Sequence, residues 1–177
     1  MPRLFIGLET PEELAALLSR ARGGLHDARW IEPQDYHITL RFIGDVDHVV
    51  AREVAGTLDE VRRAPVTVTV EGIDAFGGKR PRTIFARVAP DPGLVELQAD
   101  IERRMRKVGL PAETRKFTPH ITLARLRNGS PLDVAGYLAV RGGFPRYVYT
   151  ARRFVLYSSR DSVGGGPYVA EAVYPLD

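Results

Sequence analysis

The chain has 177 residues with a formal net charge of +3, 44% hydrophobic and 27% charged residues, and no cysteine. This composition is ordinary for a globular protein, and without cysteine the chain forms no disulfide and no thiolate metal site. No apolar run approaches the roughly 18 residues that span a membrane, and the N-terminal residues carry no signal-peptide pattern. We therefore expect one cytoplasmic, monomeric domain over residues 1–177, away from membranes.

Apolar spacing and helix-capping signals predict alternating strands and helices along the chain. In the first part they predict, in order, a strand Leu4–Leu8, a helix that begins at the capping box Thr10-Pro11-Glu12-Glu13, a strand His37–Ile43, a helix from about Asp47 to Arg63 and a strand Val66–Ile73. In the second part they predict a strand Thr83–Val88, a helix from Asp91-Pro92 to Gly109, a strand His120–Leu126, a short helix from Ser130-Pro131 with Leu132, Ala135 and Leu138 inward, and one or two strands over Tyr147–Tyr157. A last strand is predicted over Val169–Tyr174.

The two parts of the chain repeat each other. The tetrapeptide His-Ile-Thr-Leu occurs at residues 37–40 and again at 120–123, 83 residues later. A repeated tetrapeptide on the same element of two β-α-β-α-β segments indicates internal duplication, over about residues 4–75 and 83–157. We therefore predict an α+β fold with two similar lobes in one domain, with no linker between them.

Each copy of the tetrapeptide presents one histidine and one threonine on the same face of its strand. Because side chains alternate along a strand, His37 and Thr39 point away from Ile38, and His120 and Thr122 repeat this arrangement. Two imidazoles supply both an acid and a base near neutral pH, and threonine hydroxyls donate well to phosphoryl oxygens. The pattern predicts acid–base chemistry on a phosphate ester.

Two other interpretations of the histidines are weaker. A single histidine beside a threonine is most often structural, but here two occur in identical settings among only four histidines. The remaining two, His26 and His48, have no such partners and are predicted at the surface. A catalytic zinc needs a third protein ligand, and neither motif has a nearby carboxylate on the same face. A site without metal is therefore predicted.

The motifs and their flanking residues resemble a known family. The matching segments cover nearly the whole chain: Arg3-Leu4-Phe5-Ile6, Trp30, His37 to Gly44, Arg80-Pro81-Arg82, Arg115 to Arg125, Ser159 and Gly166-Pro167-Tyr168. They resemble the two-histidine (2H) phosphoesterases, and among these the bacterial and archaeal RNA 2′,3′-cyclic phosphodiesterases once called 2′-5′ RNA ligases. The resemblance implies a bilobal fold whose two pseudo-symmetric lobes surround a central cleft.

The resemblance also implies an activity. The expected substrates are RNAs with 2′,3′-cyclic phosphate ends, tRNA fragments among them, which are opened to 2′-phosphates without cofactor or metal. Some members also join RNA ends slowly through 2′-5′ linkages. By analogy, His37 protonates the departing 3′-oxygen, His120 activates water, and Thr39 and Thr122 hold the non-bridging oxygens. Two alternatives stay open: a phosphodiesterase for small cyclic nucleotides or 2′-5′ oligoadenylates, and a non-catalytic protein that binds RNA ends.

Two arginines compete as the phosphate ligand. Arg125 matches a family arginine that binds phosphate, but strict alternation puts it on the face opposite His120. A bulge in the strand, or the end of the strand, is needed to bring it to the histidine face. Arg41 has the same parity as His37 and Thr39, so the pattern alone favours Arg41.

Several further residues keep two interpretations each. Phe5 and Phe42 either stack on a base or belong to the core. Arg80 and Arg82 either bind RNA or flank a turn. Gly164–Gly166 is not followed by Lys-Ser/Thr and a helix, so it predicts a turn and not a P-loop.

Overall fold

The computed structural model describes residues 3–159 and 167–177, and these form a mixed α+β structure. The strands are β1 (Arg3–Glu9), β2 (Ala28–Trp30), β3 (His37–Asp45), β4 (Val66–Phe76), β5 (Thr83–Val88), β6 (His120–Leu126), β7 (Tyr147–Ala151), β8 (Arg153–Ser159) and β9 (Tyr168–Pro175). The helices are α1 (Glu12–Ser19), α2 (His48–Leu58), α3 (Pro92–Lys107) and α4 (Pro131–Arg141), and Pro33–Asp35 form a short 3₁₀ turn. The predicted glycine turn at 164–166 lies outside the described residues.

One antiparallel sheet carries all the described strands, in the order β7-β4-β5-β6-β3-β1-β8-β9, with β2 paired to β6 beside this path. Its centre is the pairing of β3 with β6, which meet at Ile38 and Ile121. The two copies of His-Ile-Thr-Leu are therefore neighbours at the middle of the sheet.

The halves of the sheet do not coincide with the sequence repeats. Strand β4 ends the first repeat but pairs with β5, the first strand of the second repeat. Strand β8 ends the second repeat but pairs with β1. The last strand of each repeat thus lies in the other half of the sheet, so that strand pairing joins the two repeats. Apolar periodicity identifies strands but not their partners, so this exchange of strands between the halves was not predicted from the sequence.

Helix α3 covers one face of the central strands. Its four inward residues, Leu94, Leu97, Ile101 and Met105, are fully buried. They belong to the same apolar cluster as Ile38, Leu40, Ile121 and Leu123, the residues that alternate with the paired histidines and threonines. The opposite face of β3 and β6 is therefore the face that carries the polar side chains.

Three of the four helices begin at the capping residues that the sequence predicts. The side chains of Asp47, Asp91 and Ser130 accept hydrogen bonds from backbone N–H groups at the starts of α2, α3 and α4. The capping box predicted at Thr10 is wrong: Pro11 occupies the cap position without a side-chain bond, and the buried Thr10 Oγ1 has no hydrogen-bond partner. Proline before the first helical residue sets the extended entry into α1 instead.

Other boundaries and faces also differ from expectation. Helix α2 ends at Leu58, five residues before the expected Arg63. In α4 the predicted stripe is only partly inward: Leu138 packs against the core but Leu132 is 81% exposed, and the buried residues are Val134 and Tyr137. A short helix has several candidate apolar faces, and the bond from Tyr137 Oη to Ala21 O fixes the inward one. None of the described helices has the length and apolarity needed to cross a membrane.

Candidate active site

Strands β3 and β6 bring the four expected polar side chains to one place. His37, Thr39, His120 and Thr122 are all partly exposed, whereas the intervening Ile38 and Ile121 are fully buried. Because the two strands are antiparallel through the Ile38–Ile121 pair, this register sets His37 towards Thr122 and Thr39 towards His120. The predicted pairs therefore share one face around a local two-fold arrangement.

The same backbone interaction orients both imidazoles. His37 Nδ1 lies 2.9 Å from the carbonyl oxygen of Asp35, and His120 Nδ1 lies 2.8 Å from that of Thr118. A carbonyl oxygen only accepts, so each Nδ1 must carry the proton and donate it. In the neutral rings the proton-free atom is therefore Nε2. His37 Nε2 lies 2.9 Å from Thr39 Oγ1, which donates to it in that state.

Aromatic rings enclose both histidines. Phe5 lies 4.8 Å from the His37 ring and Tyr168 meets the same ring edge-on at 5.1 Å. On the other side, Phe76 and Phe85 lie 5.0 Å and 5.6 Å from the His120 ring. These rings limit rotation of the imidazoles and remove water from their flanks. The sequence alone did not predict this role for Phe76, Phe85 and Tyr168, because they lie on β4, β5 and β9, whose places in the sheet local patterns do not reveal.

The surroundings lower the pKa of both histidines. Burial lowers the pKa of His37 to about 4, with further lowering by the charges of His120 and Arg125. Burial and the charge of Arg125 also lower the pKa of His120 from its usual value. The hydrogen bonds from Nδ1 to the backbone carbonyls act in the opposite direction but are outweighed. Both rings are thus mainly neutral at pH 7 in the free protein.

A bulge in each central strand decides which arginine reaches this face. In β3, Ile6 pairs with Arg41 and Gly7 with Thr39, so Leu40 is an extra residue. In β6, Ile84 pairs with Ala124 and Phe85 with Thr122, so Leu123 is the extra residue. An extra residue inverts the alternation that follows it. Phe42 and Arg125, 83 residues apart like the two histidines, therefore lie on the histidine face.

The expectation that Arg41 faces the site is wrong. Arg41 is turned towards the helical layer, is 7% exposed, and pairs with Glu102 of α3 through its Nε atom at 3.1 and 3.2 Å. It also donates to the carbonyl oxygens of Phe42 and Pro111. The bulge at Leu40 is the physical reason. Arg125, which strict alternation excluded, is exposed near both histidines and shifts the pKa of each.

The two phenylalanines have different places. Phe5 is 5% exposed and stacks on Tyr157 at 4.9 Å as well as contacting His37, so it is a wall of the site and has no free face for a base. Phe42 is 43% exposed beside the site, with the Arg3 guanidinium 5.6 Å from its ring centre. Of the two, only Phe42 presents a face to a ligand.

Gly7 permits the close approach of β1 to His37. A Cβ atom built at Gly7 lies 2.6 Å from the carbonyl oxygen of Ile38 and 3.5 Å from His37 Cδ2. The first distance is far inside van der Waals contact with rigid backbone. An isolated glycine within a strand pattern is a sequence signal for such a close approach of another backbone.

The described residues offer no evident metal centre. Across residues 3–159 and 167–177, no three histidine, cysteine, aspartate or glutamate side chains are grouped so as to hold a metal ion.

Asp35 contributes its carbonyl oxygen to His37, while its buried carboxylate accepts from the Tyr168 backbone N–H at 3.3 Å. Burial raises the pKa of that carboxyl above its usual value.

Comparison with known proteins places this arrangement in a family. An RNA 2′,3′-cyclic phosphodiesterase of Bacillus subtilis is 31% identical over 83% of this chain and 78% of its own, and one of Thermotoga maritima is 30% identical over 89% and 86%. The crystal structure of E. coli LigT complexed with 3′-AMP has the same fold, with a TM-score of 0.79 at 24% identity over 99% of both chains. The model of the 2′-5′ RNA ligase superfamily matches residues 10–162. The resemblance seen in the sequence is thus confirmed, and the chain belongs to the 2′-5′ RNA ligase superfamily.

Proposed function

We propose that the protein hydrolyses RNA 2′,3′-cyclic phosphate ends to 2′-phosphates, with His37 and His120 as the acid–base pair and without metal. The observation that carries the proposal is the matched setting of the two imidazoles. Each Nδ1 is held by a carbonyl two residues earlier in the chain, which leaves Nε2 for proton transfer. The curated relatives named RNA 2′,3′-cyclic phosphodiesterase support the substrate.

The reaction requires two proton transfers around the phosphorus atom. One Nε2 removes a proton from water as the water oxygen bonds to phosphorus. The bond from phosphorus to the 3′-oxygen breaks, and the second imidazolium donates its Nε2 proton to that oxygen. The products are a 2′-phosphate monoester and a 3′-hydroxyl. The base ends protonated and the acid neutral, so one exchange of protons with solvent resets the pair.

The pKa order favours a definite division of labour. A base must be neutral and an acid protonated before the reaction. Because the pKa of His37 falls to about 4, His37 is the stronger candidate for the neutral base. His120, whose pKa does not carry the further lowering that His37 receives from a second histidine, then serves as the acid. This is the reverse of the assignment that family analogy gives, in which His37 is the acid.

The remaining side chains hold the phosphate. Thr39 Oγ1 bonds to His37 Nε2 in the free protein and turns to a non-bridging oxygen when substrate occupies the site. Thr122 is its counterpart beside His120. Arg125 places a positive charge near both histidines and neutralises the phosphate. Phe42, the residue equivalent to Arg125 in the other repeat, supplies an exposed ring for the terminal base.

The test uses chelator-treated protein and an RNA that ends in a 2′,3′-cyclic phosphate. We expect a 2′-phosphate product, and His37→Ala and His120→Ala are each expected to lower kcat by roughly 10²–10⁴-fold. His26→Ala and His48→Ala are matched controls, because both side chains are exposed and outside the site. Folded His120→Ala protein with unchanged turnover, or activity that needs added metal, contradicts the proposal. Tight binding of the cyclic end without turnover indicates the non-catalytic alternative.

The assignment of acid and base has its own test. Replacing the bridging 3′-oxygen of the cyclic phosphate by sulfur gives a leaving thiolate that needs no proton. Loss of the acid is then mild, whereas loss of the base stays severe. We expect this substrate to rescue His120→Ala and not His37→Ala. Rescue of His37→Ala alone restores the assignment by family analogy.

A further inference from the structure

The exposed side of β6 continues beyond the histidine site as a row of arginines. Arg125 lies opposite Arg29 of β2 in the antiparallel pairing, so the two side chains occupy the same face. Arg127 follows two residues after Arg125, and the buried Leu126 separates them. Arg127 lies in the bend that follows β6, and its backbone N–H donates to the carbonyl oxygen of Asp27, two residues before Arg29. Three arginines therefore lie near one another at this end of β6 and β2.

These guanidinium groups are available to an external anion. Arg29, Arg125 and Arg127 are all exposed, and within residues 3–159 and 167–177 none of them forms an ion pair or a side-chain hydrogen bond. Other arginines of the described chain do have acidic partners, as Arg63 has in Asp100 at 3.0 Å and Arg153 has in Glu9. The row is therefore an unneutralised positive strip at the edge of the site.

One carboxylate borders the strip. Asp27 precedes Ala28, the partner of Leu126, and its carbonyl oxygen accepts from the Arg127 N–H at 3.3 Å. Its exposed side chain forms no ion pair within the described chain. Asp27 thus lowers the positive potential of the strip without neutralising any one of its arginines.

The position of the strip matches the path of a polynucleotide. Arg127 lies seven residues beyond His120, just past the end of β6, at most roughly 20 Å along the chain. That is farther than the terminal nucleotide reaches from a phosphate held between the histidines. Planar guanidinium groups bind phosphodiester oxygens in a bidentate manner. Arginines that follow one another away from the histidines suit successive phosphates of one RNA strand.

We propose that Arg29 and Arg127 bind the phosphodiester backbone of the RNA upstream of its cyclic end, so that the preferred substrate is an oligonucleotide and not a cyclic mononucleotide. This inference rests on the proposed function and specifies its substrate. The cyclic phosphate lies at His37 and His120, and the chain runs from Arg125 along β6 and β2. Each contact adds binding to long substrates alone, since a cyclic mononucleotide held at Arg125 does not reach Arg29 or Arg127.

The experiment compares kcat/KM for a nucleoside 2′,3′-cyclic phosphate with that for two-, four- and eight-nucleotide RNAs with the same cyclic end. We expect kcat/KM to rise with length to a plateau, by about tenfold for each arginine–phosphate contact. Arg29→Ala and Arg127→Ala are each expected to remove about tenfold from the longer RNAs and to leave the mononucleotide unchanged. Asp27→Asn is expected to raise kcat/KM for the longer RNAs only. Arg106→Ala, an exposed arginine of α3, is the control for net charge.

Salt dependence gives an independent readout. A plot of log kcat/KM against log salt for the eight-nucleotide RNA is expected to become shallower by about 0.7 in each strip variant. Equal rates at all lengths, a length effect that survives both Arg29→Ala and Arg127→Ala, or an equal loss in Arg106→Ala overturns the inference. In each of these cases hydrolysis of the mononucleotide still supports the proposed function. A failure to hydrolyse any of the substrates overturns the proposed function itself.

Discussion

Removing the Arg41 guanidinium is expected to destabilise the fold, whereas removing that of Arg125 is expected to weaken substrate binding. Arg41 and its partner Glu102 are 7% and 15% exposed, so Arg41→Ala leaves a carboxylate in a poorly hydrated place. The Phe42 and Pro111 carbonyls lose a donor as well. Breaking a buried pair from one side costs about 3–5 kcal/mol.

This cost is measurable as a melting temperature. For a chain of this size about 1 kcal/mol shifts Tm by roughly 2–4 °C, so Arg41→Ala is expected to lower Tm by roughly 6–20 °C. The exposed Arg125→Ala variant is expected to stay within about 0.5 kcal/mol of the parent. Its KM for a cyclic phosphate is expected to rise more than kcat falls. Calorimetry and initial rates on the same preparations provide both measurements.

A paired variant controls for loss of packing. Replacing both partners, as Arg41→Met with Glu102→Leu, removes the stranded charge, so the pair is expected to lose less stability than Arg41→Met alone. The reasoning fails if Arg41→Ala keeps its Tm but has a higher KM. It fails equally if Arg125→Ala unfolds at lower temperature with unchanged kinetics. Either result favours Arg41, the residue that strict alternation selects, as the phosphate ligand.

Three further predictions concern the walls and the proton states of the site. Gly7→Ala is expected to lower the free energy of unfolding by about 1–3 kcal/mol and to lower kcat, because the new Cβ atom meets the Ile38 carbonyl beside His37. Unchanged urea unfolding together with unchanged kcat contradicts this prediction. Phe42→Ala is expected to leave Tm unchanged and to raise KM, because the base loses stacking worth about 1–3 kcal/mol. Equal KM values for the variant and the parent show that no base stacks on Phe42. The pH profile of kcat/KM is expected to be bell-shaped with its maximum between about 4 and 6.5, because the pKa values of His37 and His120 are both lowered; a maximum above pH 7 refutes it.

The sequence predicted the paired side chains correctly because they precede the point where alternation breaks. His37, Thr39, His120 and Thr122 occupy alternate positions at the start of their strands, and period two holds there. The bulges at Leu40 and Leu123 invert everything that follows. A bulge depends on the register with β1 and β5, which residues within β3 and β6 do not reveal. The parity rule therefore misplaced the arginines after the bulge, while the resemblance pointed to Arg125.

Sequence patterns within single strands also did not predict the order of the strands in the sheet. The runs at β4 and β8 predicted strands, but their exchange between halves depends on long-range packing, which periodicity does not encode. Strand β2 has only three residues and was missed, since so short a run carries no alternation. It nevertheless places Arg29 beside Arg125. The shared face of the paired histidines and threonines was thus predictable from the motif, whereas the residues around them required the sheet.

The pH dependence also separates the free protein from the bound state. Without substrate, burial and the charge of Arg125 favour neutral imidazoles, and kcat/KM reports this state. A bound phosphate diester carries a negative charge, which offsets the charge of Arg125 and favours protonation of the nearby rings. The pKa values that govern kcat are therefore expected to lie above those that govern kcat/KM. Arg125→Ala removes the positive charge, so its kcat/KM profile is expected to move to higher pH. A kcat maximum at or below the kcat/KM maximum, or an unmoved profile in Arg125→Ala, shows that the charge of Arg125 does not control the histidines.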